Sequence, residues 1–151
     1  MPHRLRLFLV LCAPLWARAG DPGDIAGLWR TIDDETRQPA ALLEIVADHG
    51  VYSGKVVQLL DRAAPPLCSQ CDGARHNQPI VGMTILTGLK RHGERYNGGE
   101  ILDPDSGSTY RAEARPIDGG ARLAVRGYIG LSLFGRSQIW ERPSIPVSPR
   151  P

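Results

Sequence analysis

Aromatic residues are scarce in this chain: Phe, Trp and Tyr make up 6% of its 151 residues. The few that are present therefore carry more of the argument than usual. A dominant charge is missing as well. Eighteen Lys and Arg face sixteen Asp and Glu, a formal net charge of +2, far from the basic footprint of a nucleic-acid or anionic-membrane binder. Long apolar runs are absent after the first 16 residues, and no stretch reaches the roughly 20 residues that a spanning helix needs. No Gly-x-Ser-x-Gly elbow and no His-Glu-x-x-His occurs, which removes two common hydrolytic constellations. The glycines fall in turns and bends and form no phosphate-cradling loop, and no cofactor is implied. No segment shows the apolar period of an amphipathic helix.

What is present begins with an export signal. Arg4 and Arg6 precede the apolar run from Leu7 to Trp16, and Ala17-Arg18-Ala19 is an A-x-A site with cleavage expected before Gly20. Residues 1–19 read as a secretory signal peptide, which directs the protein to the periplasm or outside the cell. Cleavage removes Arg4, Arg6 and Arg18, leaving fifteen basic residues against sixteen acidic, a net −1. Cys12 also leaves. Cys68 and Cys71 remain, and an even pair in an oxidising compartment favours a disulfide. A redox-active pair would need a helix N-terminus in a βαβ setting, and a metal site would need more ligands.

Residues 20–142 read as one all-β domain. The expected strands are Ile25–Ile32, Ala41–Ala47, Val51–Leu60, Thr84–Arg91, Tyr96–Asp103, a sixth around Tyr110–Arg115, Arg122–Ile129 and Arg136–Arg142. Gly and Asp turns join them. Asp33-Asp34-Glu35-Thr36 reads as an exposed acidic turn. Asp48-His49-Gly50 is a hairpin connection, and Gly98-Gly99 suggests a bulge. Residues 61–78 form the longest irregular stretch, with the Cys pair as its staple. Period-two alternation turns Tyr52, Gly54 and Val56 to one face of the third strand and Tyr110, Ala112 and Ala114 inward on the sixth. On the seventh, Leu123, Val125, Gly127 and Ile129 turn inward. Eight sequential strands favour an eight-stranded antiparallel up-and-down barrel, whose interior is nearly filled by side chains or holds one small ligand. Residues 143–151, with four prolines, read as a flexible tail.

The chain ends supply the expected closure: Gly27 and Trp29 on the first strand, Trp140 and Arg142 on the last. Tyr52, Tyr96, Tyr110 and Tyr128 are the candidate ligand contacts, since tyrosine joins apolar area to a polar tip; the alternative is that they simply fill the barrel. Glu44 and Glu100 interrupt apolar strands but fit the solvent face. His49, His76 and His92 fall in turns and the long loop, where solvation is the ordinary state.

Several motifs together resemble a bacterial family of small exported proteins catalogued as domain of unknown function 2147. They are Gly27-Leu28-Trp29-Arg30-Thr31-Ile32-Asp33, Cys68-x-x-Cys71, Val81 to Leu86, Gly99 to Pro104, Arg126 to Gly130, and Ser132 through Trp140. The family name implies no activity. Gly27-x-Trp29, with Arg142 following Trp140, is also similar to the lipocalin and fatty-acid-binding barrels. That resemblance implies that Trp29 closes one barrel end and Arg142 packs across it. Three functions follow for test: a carrier or sensor of a small apolar or amphipathic molecule, a ligand-free envelope interaction module using Leu131, Leu133 and Phe134, and an enzyme, which no recognisable constellation supports.

Overall fold

The computed structural model describes residues 21–131 and 135–143. The expected signal peptide, Leu133, Phe134 and nearly all of the proline-rich tail lie outside these. Eight strands follow in order: β1 Gly27–Ile32, β2 Pro39–Asp48, β3 Val51–Leu59, β4 Thr84–His92, β5 Arg95–Leu102, β6 Thr109–Ile117, β7 Arg122–Tyr128 and β8 Gly135–Glu141. Each pairs antiparallel with the next, and β8 returns to β1 through Arg30 opposite Glu141, closing the barrel. Arg30 Nη2 donates to Glu141 Oε2 across that last seam. Closure removes the edges that an open sheet would leave unpaired.

The alternation of small and apolar residues decides which face turns in. Leu43 and Ile45 of β2, Tyr52 and Val56 of β3, Leu86 and Leu89 of β4, Ala112 and Ala114 of β6, and Leu123 and Val125 of β7 are all buried. Outside, Glu44 stands opposite Lys55, and Arg111 and Arg115 are exposed along β6. Glu44 and Glu100 are both exposed. Among the described residues no polar or charged side chain is buried, and no helix is long and apolar enough to cross a membrane.

Strand limits shift by a residue or two from the sequence expectation. Ile25 precedes β1 as a buried plug, and Arg142 follows β8 with its amide bonded to Ala121 O. The β2–β3 hairpin places both His49 and Gly50 at positive φ, 48° and 78°, the twist-matched turn of a two-residue loop. The pairing of β5 with β6 shifts between Tyr96 and Gly99, where the Gly pair suggested a bulge. Ile129 is the clear exception. It lies past the end of β7 and is 68% exposed, because pairing with β8 stops at Tyr128 opposite Gly135.

In an up-and-down barrel, alternate connections gather at the same end. The β1–β2, β3–β4, β5–β6 and β7–β8 connections share one end with a cavity. The chain start and the three other hairpins share the opposite end.

Candidate functional site

The closed end is built around Trp29. Its indole Nε1 donates to Ile25 O at 2.8 Å, and its ring is fully buried. Arg142 lies across it, with its guanidinium carbon 4.2 Å from the ring centroid. The guanidinium donates to three backbone carbonyls: Asp24 O at 2.9 Å, Ala26 O at 3.0 Å and Gly120 O at 3.2 Å. It thereby ties the chain start, the β6–β7 turn and the chain end together. Gly27 makes the approach possible. It sits at φ +113°, and a Cβ there would stand 2.8 Å from Arg142 Nη1. Burial holds the Arg142 pKa below its usual value, which is the desolvation cost of a cation placed under a barrel.

Tyr52 and Tyr96 also pack at this end. Their rings meet edge-to-face at 4.9 Å. Tyr96 donates its hydroxyl to Gly23 O at 2.8 Å, and Arg91 reaches over its ring to Asp21. Burial, followed by the neighbouring Tyr96, pushes the Tyr52 hydroxyl up to about 12. The four candidate tyrosines therefore divide. Tyr52 and Tyr96 fill the closed end, whereas Tyr110 and Tyr128 line the cavity at the other.

That cavity has a volume of about 530 Å³, inside the usual range for small-molecule sites. Leu43, Val56, Ile80, Leu102, Val125 and Trp140 form its apolar wall. Trp140 was expected beside Trp29 as a closure residue. Instead it lines the cavity, with its Nε1 donating to Gln138 Oε1 at 3.1 Å. The reason is its register: Trp140 pairs with Leu123 on β7 and points into the shaft, whereas Arg142 has already left the strand. Space comes from small residues: Ala41, Gly127 and Gly135 all line the cavity. Ala112 sits opposite Gly127 and Gly99 opposite Ala112, so small residues stand side by side across three strands.

The 60–83 connection forms one side of the mouth. Cys68 and Cys71 are disulfide-bonded and buried. Cys68 N donates to Gln78 O, Ile80 N donates to Pro66 O, and Leu67 bridges to Pro79, folding the loop on itself. It then presents Ile80 to the cavity. The loop also leans on the β5–β6 turn. Gly107 sits at φ +70°, and a Cβ there would lie 1.9 Å from Gln70 O. His76 bonds Cys71 O through Nδ1 at 3.0 Å, while His49 in the β2–β3 turn and His92 at the end of β4 are exposed at the other end. The three histidines are not brought together. No group of three or more His, Cys, Asp or Glu among the described residues is placed to hold a metal ion.

Residues 27–142 match the family described as "Uncharacterized protein conserved in bacteria (DUF2147)". The chain belongs to the DUF2147 family. Among solved structures, this DUF2147 protein is similar to one described as "Protein HP1028 from the human pathogen Helicobacter pylori belongs to the lipocalin family". The TM-score is 0.70 at 17% identity, over 80% of this chain and 84% of that one. At that identity the likeness shows the fold, a lipocalin-like barrel. A search of curated proteins finds no match.

The rim of the mouth was missed in the sequence reading. Asp33, Asp61, Asp103 and Asp105 all line the cavity, yet each reads singly as turn or loop chemistry. Their odd-numbered connections were the available signal, because an up-and-down barrel collects those at one end.

Proposed function

We propose that this DUF2147 protein is an exported carrier or sensor that holds one small apolar or amphipathic molecule inside its barrel. The observation that supports this reading is the apolar cavity of about 530 Å³, closed at one end by Trp29 and Arg142. Burial of apolar ligand area supplies the affinity, about 25 cal/mol per Å² before association costs. Tyr110, Tyr128 and Gln138 offer polar atoms to orient the ligand. The reading of residues 1–19 as a signal peptide and the Cys68–Cys71 pair favour an oxidising compartment outside the cytoplasm.

Native mass spectrometry of protein purified from its own periplasm without detergent tests this. A discrete added mass that disappears on denaturation is the expected result. A bare chain, together with no saturable uptake of apolar probes, would sink the carrier reading. The same spectrum reports cleavage before Gly20.

A second reading, an envelope interaction module, draws on Ile129 and Leu131, which are 68% and 70% exposed on the β7–β8 connection. Exposed apolar side chains on one loop are a common mark of contact sites. Replacing both by serine should abolish capture of an envelope partner if that reading holds, and unchanged capture would dismiss it.

A further inference from the structure

The cavity is apolar in its depth and acidic at its mouth. Asp33 comes from the β1–β2 connection, Asp61 from the start of the β3–β4 connection, and Asp103 and Asp105 from the β5–β6 turn. Arg136 is the one cation among the described residues lining the cavity, and its guanidinium donates to Asp34. Four carboxylates therefore face a single basic side chain that already has an acidic partner.

Three of the four carboxylates are fixed by their own turns. Asp33 accepts from the Thr36 amide and hydroxyl, Asp61 from the Ala63 amide, and Asp103 from the Asp105 amide and the Ser106 hydroxyl. These bonds hold the carboxylates in place without neutralising them. The carboxylates act on one another: partial burial first, then Asp103, Asp33 and Asp61, raise the Asp105 pKa. A positive group entering the mouth relieves that repulsion, and an anionic head group adds to it. Tyr110 and Tyr128 line the same cavity, and aromatic faces attract cations. The carboxylates are not grouped to chelate a metal ion, so the arrangement suits a bulky, diffuse positive charge attached to an apolar body.

We propose that the ligand class of this barrel is the cationic amphiphile: an apolar chain or ring system in the shaft, and an ammonium or guanidinium head at the ring of Asp33, Asp61, Asp103 and Asp105. This rests on the carrier reading above and assigns the charge of the cargo.

The test is competition against the neutral fluorophore N-phenyl-1-naphthylamine at pH 7, with decyltrimethylammonium and decanoate as competitors below their micellar concentrations. Decyltrimethylammonium should displace the fluorophore at a concentration roughly tenfold below that of decanoate, the scale of one or two partly shielded ion pairs. Added salt should narrow the gap. The double variant Asp61→Asn/Asp105→Asn should lose the preference, read as the ratio of the two competitors' displacing concentrations on that same variant. An asparagine at 61 can still accept from the Ala63 amide, so the loop is preserved. Equal displacement by the two competitors, tighter decanoate binding, or a preference that survives in the double variant would each overturn the cationic assignment while leaving the carrier reading standing. Wild-type protein that takes up no fluorophore and neither competitor would overturn both.

Discussion

Replacing Arg142 by alanine should cost about 3 kcal/mol of stability, and the figure can be assembled from its contacts. The side chain donates to Asp24 O, Ala26 O and Gly120 O and lies 4.2 Å from the Trp29 ring centroid. A hydrogen bond from a charged donor contributes about 1.5–3 kcal/mol when shielded. Arg142 is only partly shielded, so about 1 kcal/mol each is the better value for three bonds. The stacked cation adds about 1 kcal/mol. Against this stand the conformational entropy and desolvation of the arginine, which bring the net back to about 3 kcal/mol. For a domain of this size that lowers Tm by about 10 °C. Urea unfolding followed by circular dichroism measures it. Arg142→Lys keeps the charge but lacks the planar fork that reaches three carbonyls at once, so it should recover less than half of the loss. A cost below about 1 kcal/mol for Arg142→Ala, or full rescue by lysine, would show that the end is not held in this way.

Three further perturbations probe the mouth and the cavity. Gly107→Ala should destabilise by about 2 kcal/mol or more, since it adds left-handed strain to a close contact with the Gln70 carbonyl; a Tm within 2 °C of wild type, about 0.5 kcal/mol, would refute that contact. Asp105→Asn should raise stability at pH 7 and lose the gain in acid. The Asp105 pKa is raised in the fold, so ionisation weakens the folded state, and the wild type recovers as pH falls through that raised value, completely once below the usual carboxylate value. Solvent screening keeps the effect within about 0.5 kcal/mol, and a gain that persists at pH 3 would contradict the sign. Ligand uptake should change tryptophan fluorescence through Trp140, which lines the cavity, and not through Trp29; a signal retained in Trp140→Phe would place the ligand elsewhere.

The period of two in β3, β6 and β7 made the inward faces legible, because small and apolar residues alternate there with Arg, Glu and Lys. Gly27, Trp29 and Arg142 were legible as an end seal because the two chain ends must meet when eight strands close. Height along the barrel axis was not legible. Alternation turns Tyr52 and Tyr110 inward and puts Tyr128 out of phase with Gly127, but it is the same for a residue at either end. The end a residue occupies depends on how far it stands from each hairpin: Tyr52 is next to the β2–β3 turn, and Tyr110 is next to the β5–β6 turn. Trp140 illustrates the same limit, since a single strand residue, Glu141, separates it from Arg142 of the seal. Ile129 shows another: an apolar residue in phase with a strand stays inside only while its partner strand continues. Asp33 reads as part of an acidic turn, Asp61 as the start of the long irregular stretch and Asp103 as the end of the fifth strand; these three form turns by their hydrogen bonds. Their joint position required the topology.

Carriage requires a cavity that admits a ligand through the acidic mouth. Titration of N-phenyl-1-naphthylamine into wild type and Gly127→Trp tests that most directly. Gly127 lines the cavity, and a Cβ there meets Ile101 and Tyr110 at 3.4 Å, so the indole is directed into the shaft. Saturable binding of one fluorophore per wild-type chain, lost in a Gly127→Trp variant that still unfolds cooperatively, is the predicted result. Wild-type protein without saturable binding, or a folded Gly127→Trp variant that binds as well as wild type, would contradict it.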